Sequence, residues 1–127
     1  MTISVLRLQD SQQLDQAWGH IKWMASGALN NSSSMTLGLA TILQGQTNPL
    51  HRHPNCEEVL HLLSGKIRHR LGTKEYVLNA GDTITIPAGT WHNATAFNES
   101  NATMIICFSN PERLTEFASE LELRTLL

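Results

Sequence analysis

Turn residues interrupt the chain from residue 44 onward, at intervals of about 8 to 12 residues. They are Gly45, Pro49, Pro54–Asn55, Ser64–Gly65, Gly72, Asn79–Gly81 and Pro87–Gly89. Short apolar runs alternate with these turns, a pattern that is typical of antiparallel sandwiches and barrels. The sequence therefore predicts an all-β body. We expect hairpin turns at Ser64–Gly65 and at Leu71–Thr73.

Two earlier segments extend this reading towards the N-terminus. Residues 20–24 and 35–43 alternate apolar and polar side chains, which favours two further strands. Residues 11–18 give a weak signal, and we leave open a short helix or an irregular arm there.

The periodicity changes near the C-terminus. The triplet Asn110-Pro111-Glu112 has the residue types that begin a helix: a capping Asn, then Pro, then an acid in the first turn. Apolar residues then recur at helical spacing, at Leu114, Phe117, Ala118 and Leu121. The pattern predicts a C-terminal α-helix over about 111–123, packed on the outside of the barrel.

Composition narrows the class of protein. The 127 residues suit one domain, 1–127. Nine basic and 11 acidic side chains give a net charge of −2, so the sequence predicts no nucleic-acid partner. It contains neither a polybasic run nor an apolar run of membrane-spanning length, so we expect no membrane partner. The N-terminus lacks the pattern of a signal peptide, and we expect a cytoplasmic protein.

Histidines are concentrated in the middle of the chain, where five of the six lie between residues 51 and 92. On a strand, His51 and His53 would lie on the same face. Glu57 and Glu58 follow a turn, and either could return a carboxylate to that face. Neutral imidazole and carboxylate together suit Zn, Fe, Mn, Ni or Cu.

The spacing of these residues adds to that signal. Gly45-x5-His51-x-His53-x4-Glu58-x6-Gly65 resembles the first motif of the cupin superfamily, and Gly81-x5-Pro87-x-Gly89-x2-His92 resembles its second motif. The core motifs span 45–65 and 81–96, and a short intermotif segment separates them. The second motif usually carries Asn four positions after its His, where this chain has Ala96. That departure concerns local hydrogen bonding rather than the metal ligands.

The resemblance implies a single-domain cupin, an RmlC-like jelly-roll β-barrel (double-stranded β-helix). It also implies that His51, His53, Glu58 and His92 bind one divalent transition metal per chain. The six-residue gap to Gly65 favours Glu58 over Glu57. Three imidazoles and one carboxylate leave coordination positions for water or a ligand, as a catalytic site requires.

Strand alternation identifies a further candidate inside the barrel. His69 shares a face with Ile67 and Leu71, so it is either a catalytic or ligand-contacting residue or a satisfied core histidine. His61 is out of phase with Glu58 and should face away from the metal. Cys56 reads as a loop cysteine without a role.

The resemblance does not fix one activity, because cupins include enzymes and binders. Our first interpretation is a metal-dependent enzyme, an isomerase or lyase, that acts by Lewis-acid catalysis on a small polar metabolite such as a sugar acid, a keto acid or a related carboxylate. An iron-dependent dioxygenase and a non-catalytic small-molecule sensor are the alternatives. Small cupins usually dimerise, and the apolar outer positions Val59 and Leu63 predict a homodimer.

Overall fold

Two antiparallel sheets pack together in a computed structural model that describes residues 4–119. A 3-10 turn at Leu8–Asp10 precedes the first strand. The strands are β1 (Gln13–Gln16), β2 (Gly19–Ala25), β3 (Thr36–Ile42), β4 (His51–Arg52), β5 (Glu58–Ser64), β6 (Lys66–Leu71), β7 (Lys74–Asn79), β8 (Thr83–Ile86), β9 (His92–Ala96), β10 (Ala102–Phe108) and β11 (Glu116–Phe117).

The strand order brings distant parts of the chain together. One sheet has the order β1-β2-β3-β10-β5-β8 and the other β11-β4-β9-β6-β7. Strands β3 and β10 alternate buried and half-buried residues along their whole length, because one face of the sheet packs on the core. The core contains residues of both sheets, among them Ile42, Leu62, Ile67, Ala96 and Phe108. The predicted all-β jelly roll is confirmed.

The two expected hairpins differ. Strands β6 and β7 pair directly, and Gly72 takes a positive φ of 61° in their two-residue turn. At Gly65 the expectation of a hairpin is wrong, because β5 and β6 lie in different sheets and the chain crosses between them there. Gly65 has φ 83°, and a Cβ at this position would strike the carbonyl oxygen of Asn101. The crossing therefore requires glycine.

The N-terminal strands fall where the pattern placed them, at β2 and β3. Residues 11–18 are not helical, since they contain β1. The 3-10 turn is the one helical element among residues 4–119, and this part of the chain forms no helix long and apolar enough to cross a membrane.

The predicted C-terminal helix is wrong over residues 111–119, and residues 120–123 lie outside the described part of the chain. Asn110 Oδ1 does accept the backbone N–H of Glu112, at 2.8 Å, but no helix follows. Instead β11 pairs with β4, and the Ala118 N–H donates to Leu50 O. The barrel supplies backbone hydrogen-bond partners that outweigh the local helical preference. We call residues 110–119 the C-terminal arm.

Candidate metal centre

Three strands bring four metal-ligating side chains together. His51 lies in β4, His53 directly follows it, Glu58 begins β5 and His92 begins β9. Strands β4 and β9 pair with His51 opposite His92, and β5 is in the other sheet. One nitrogen or oxygen atom from each residue lies within 4.8 Å of the others. We call these four residues the donor cluster; they could hold one metal ion.

Burial distinguishes the two candidate glutamates. Glu58 is 4% exposed, close to the 3% of His53 and of His92. Glu57 is exposed, and its backbone N–H donates to Ser109 Oγ at 2.9 Å. The structure therefore places the carboxylate of Glu58, and not that of Glu57, in the cluster.

Hydrogen bonds determine which ring nitrogen carries the proton in each of the three imidazoles of the cluster. Each Nδ1 faces a backbone carbonyl oxygen, which can only accept, so each Nδ1 carries a proton and donates it. The acceptors are Pro49 O for His51 (2.6 Å), Leu114 O for His53 (2.9 Å) and Thr90 O for His92 (2.8 Å). In a neutral ring the lone pair is then on Nε2. Metal-binding histidines typically show this arrangement, because the second hydrogen bond orients the ring.

The atoms that meet inside the cluster are electron-rich. Glu58 Oε1 lies 3.1 Å from His92 Nε2 and 3.2 Å from His53 Nε2. His53 Nε2 is buried without a hydrogen-bond partner. Two lone pairs and a carboxylate oxygen repel one another unless a proton or a cation lies among them. The unpartnered nitrogen and the donor set therefore fit a bound divalent transition metal.

The pKa shifts of His51 and Glu58 agree with a neutral imidazole and an ionised carboxylate. Burial, and then the neighbouring His92, lower the pKa of His51 to about 3. Burial by itself would raise the pKa of Glu58, but the close contacts of its carboxylate with the rings of His53 and His92 hold it well below its usual range. These are the protonation states in which both residue types ligate metals.

A cavity of about 400 Å³ opens onto the cluster between the two sheets. Its remaining walls are mainly apolar and aromatic, and include Trp18, Ile21, Trp23, Leu60, Met104 and Phe108. The Trp23 indole fits because position 38 is glycine: a Cβ there would lie 2.7 Å from Trp23 Cζ3. A cavity of this size suits a small metabolite.

His69 faces this cavity, as the strand alternation predicted. It is 1% exposed, and its ring stacks on His92 with centroids 5.9 Å apart and an interplanar angle of 11°. Its Nδ1 is buried without a partner among the described residues. Burial, and then the nearby His92, lower its pKa to about 4, so the ring is neutral near pH 7. The structure places it beside the donor cluster but not in it.

Two other polar candidates lie apart from the cluster. As predicted, His61 is on the other face of β5 from Glu58. Its Nδ1 lies 2.8 Å from Thr83 Oγ1. Cys56 is a buried free thiol whose pKa burial raises, which makes it less reactive.

Sequence reasoning missed Arg113 and Thr115, which also line the cavity. Arg113 Cζ lies 4.4 Å from the ring centre of Trp23 and 5.2 Å from that of Phe108. Arg113 Nη1 donates to Thr115 Oγ1 at 2.6 Å, and that oxygen lies 3.3 Å from His53 Nδ1. No local pattern signalled these residues, because they reach the cavity only when the arm is extended.

Comparison with known proteins agrees with this architecture. The family model of the cupin domain matches residues 38–108, more than half of the chain. Putative germin-like protein 3-4 of Oryza sativa subsp. japonica is 30% identical over 88 residues, which cover 63% of this chain and 38% of that protein. Quercetin 2,3-dioxygenase of Bacillus subtilis (strain 168) is 40% identical over 50 residues, covering 39% of this chain and 15% of that enzyme. The chain thus spans well under half the length of these curated relatives.

A solved structure gives the same fold. Oxalate decarboxylase of Bacillus subtilis, in a structure described for its Mn(II) centres, matches with a TM-score of 0.81 at 20% identity. The match covers 95% of this chain and 35% of that one. With the family model, the two sheets and the donor cluster in agreement, this chain belongs to the cupin domain family.

Proposed function

We propose that this cupin is a metal-dependent enzyme that acts on a small polar carboxylate. His51, His53, Glu58 and His92 hold its one divalent transition metal ion. The observation that carries the proposal is the donor cluster, in which three Nδ1–H groups are bound to carbonyl oxygens and the Nε2 atoms gather around Glu58. A buried set of lone pairs with an adjoining cavity is what a catalytic metal site requires.

A bound divalent ion would supply Lewis acidity to a substrate oxygen. The chain's own residues orient the ligand and exclude water. Trp23 and Phe108 form apolar walls of the cavity. His69 is buried beside the cavity and is not one of the four metal ligands. We assign to His69 the transfer of a proton to or from the bound ligand, because its Nδ1 is free of protein partners among the described residues.

Manganese is the first metal to test, since oxalate decarboxylase of Bacillus subtilis has Mn(II) centres and shares the fold. The experiment measures the metal content of the purified protein by elemental analysis, then turnover of small carboxylates after loading with Mn(II). We expect about one metal per chain and metal-dependent turnover. A protein that binds ligands saturably without turnover would instead be a sensor, and one that binds no metal would refute the proposal.

The assignment of His69 has its own test. His69→Gln keeps hydrogen-bonding atoms and most of the volume, and we expect unchanged metal content with turnover lowered about tenfold or more. Loss of stability by about 1 to 3 kcal/mol with unchanged turnover would identify a core histidine instead.

The second candidate function is an iron-dependent dioxygenase. The 40% identity with quercetin 2,3-dioxygenase over 50 residues favours it. Oxygen uptake that depends on both substrate and loaded metal distinguishes it from the first function, which consumes no oxygen. Turnover that is unchanged under nitrogen would exclude it.

We also propose a cytoplasmic homodimer. Val59 and Leu63 are 36% and 46% exposed on the outer face of β5, which leaves an apolar surface for a second copy. Light scattering at micromolar concentration should give twice the chain mass of 14.1 kDa. A mass near that of one chain would contradict the dimer, and fractionation of the source cells tests the location.

A further inference from the structure

Arg113 places a cationic side chain in the wall of the metal-site cavity. The residue is half-buried on the C-terminal arm, between two aromatic side chains that also line the cavity. Its guanidinium lies over the rings of Trp23 and Phe108, at 4.4 and 5.2 Å. Stacking on aromatic rings holds a guanidinium in place and leaves its N–H edge to donate hydrogen bonds.

The protein satisfies little of that donor capacity. A guanidinium has five N–H donors. Within residues 4–119 the side chain of Arg113 makes one hydrogen bond, to Thr115 Oγ1, and no ion pair with a carboxylate. The carboxylate that lines the cavity, Glu58, has its contacts at 3.1 and 3.2 Å with His92 and His53. Thus the guanidinium of Arg113 forms no ion pair with a glutamate or an aspartate in this part of the chain.

The charges in the cavity favour a negatively charged ligand. Apart from the histidines, Glu58 and Arg113 are the only acidic and basic side chains among the described residues that line it. Together with the divalent ion of the proposed function they give a formal charge of +2. In a cavity with mainly apolar walls, such a charge attracts an anion strongly.

We propose that Arg113 binds a carboxylate of the ligand, while the other end of the ligand binds the metal, so that Arg113 selects small dicarboxylates over monocarboxylates. This inference rests on the proposed function, because it needs the metal as the second anchor. Bidentate pairing with carboxylate is the interaction for which a guanidinium is best suited. The cavity volume of about 400 Å³ limits the ligand to a short carbon chain.

The experiment compares matched probes on protein loaded with Mn(II). Calorimetry measures the affinities for malonate and succinate, and for propionate and butyrate, which have the same chain lengths but one carboxylate fewer. We expect one dicarboxylate to bind about 10- to 100-fold more tightly than its matched monocarboxylate, the range typical of a charge-assisted contact. In Arg113→Gln that preference should disappear.

Arg68→Gln is the matched control, because Arg68 also lies over an aromatic ring, that of Phe97 at 5.3 Å, but does not line the cavity. It should keep the wild-type preference. Arg113→Lys keeps the charge without the planar fork, and should keep only part of the preference. If thermal unfolding shows that Arg113→Gln misfolds, Arg113→Lys still tests the proposal.

The outcomes separate this inference from the proposed function. If the wild-type protein holds no metal, both fail. If it holds metal but shows no preference for a dicarboxylate, or if Arg113→Gln weakens both probes equally, the role of Arg113 is refuted and the proposed function stands. Metal content of each variant is measured alongside, since a loss of metal in Arg113→Gln would assign the residue to support of His53 through Thr115 and overturn the inference.

Discussion

Two regions contact His53: the strands that carry the donor cluster, and the C-terminal arm. They differ in how they pair with the rest of the molecule. Strand β5 is paired on both edges, by β8 and β10, and β9 by β4 and β6. The arm contributes one two-residue strand, β11, at the edge of a sheet. Its apolar side chains Leu114 and Phe117 are 55% and 65% exposed.

The arm is instead attached by individual contacts. Asn55 Nδ2 donates to Glu112 O at 2.7 Å, Asn55 Oδ1 accepts the Leu114 N–H at 3.0 Å, and Arg52 pairs with Glu116 at 2.9 Å. Local stability follows buried contacts and protected hydrogen bonds. The difference teaches that the site combines strands paired on both edges, which hold Glu58 and His92, with a more weakly attached arm, which orients His53 and supplies Arg113.

The largest effect should come from removing donors of the cluster itself. Replacing both His51 and His53 with Ala removes two of four ligands, and we expect metal binding to be abolished. Elemental analysis after loading and dialysis measures this. His61→Ala is the control, because His61 faces away from the cluster; equal metal in the double variant and the wild type would refute the ligand assignment.

Next in size is damage to the crossing between the sheets. Gly65→Ala combines a positive φ with a clash against the backbone of Asn101 and Ala102, and should lower the free energy of unfolding by about 2 to 4 kcal/mol. Gly81→Ala, with φ 98° but open space around its Cβ, should cost only about 1 kcal/mol. Urea unfolding measures both. Equal losses would show that the close approach at Gly65 is unimportant.

A smaller effect should follow when the arm is loosened. Asn55→Ala removes two hydrogen bonds to the arm, with a cost of about 1 to 3 kcal/mol. Because Leu114 O accepts the His53 proton, metal affinity should fall about tenfold, at the low end for such supporting contacts.

Hydrogen exchange should then show faster exchange in residues 110–119 and unchanged protection in β5 and β9. Asn101→Ala removes a comparable hydrogen bond, from the Gln44 N–H, away from the arm and is the control. Unchanged exchange in the arm would contradict its weaker attachment.

The smallest effect should come from the surface ion pair. Glu116→Gln breaks the pair with Arg52, whose side chains are 51% and 35% exposed, so we expect a loss of less than about 1 kcal/mol. The loss should shrink at high salt, because screening weakens exposed pairs. Thermal unfolding at two salt concentrations measures it, with Glu112→Gln as the control acid that has no ion pair among the described residues. A salt-independent loss would point to a non-ionic role for Glu116.

The parts of the molecule that local patterns dictate were predictable. Alternation along β6 predicted that His69 faces inward, because only one face of the strand is buried. The choice of Glu58 and the membership of the donor cluster came from the resemblance to the cupin motifs, and not from strand geometry. The acceptors of the three Nδ1 protons were not predictable. They are backbone carbonyl groups, which every residue has, so the amino-acid type does not identify them.

The arm shows why the rest was missed. Its sequence has a helical cap and a helical stripe, and contacts with distant parts of the chain, such as those with Asn55 more than fifty positions away, favour the extended form. Arg113 was missed as a consequence, because its place in the cavity depends on that form. Long-range hydrogen bonds of this kind override local propensity and are not visible in a window of sequence.

Gly38 affects the shape of the cavity without belonging to the donor cluster. The Trp23 indole occupies space that a side chain at this position would fill, with Cζ3 2.7 Å from where a Cβ would be. The steric limit on what enters the cavity is thus set on β3, a strand that contributes no metal ligand. A single methyl group added there would displace the indole and reshape the wall while the donor atoms stay unchanged. The shape of the cavity can therefore change through position 38 while the donor cluster is preserved.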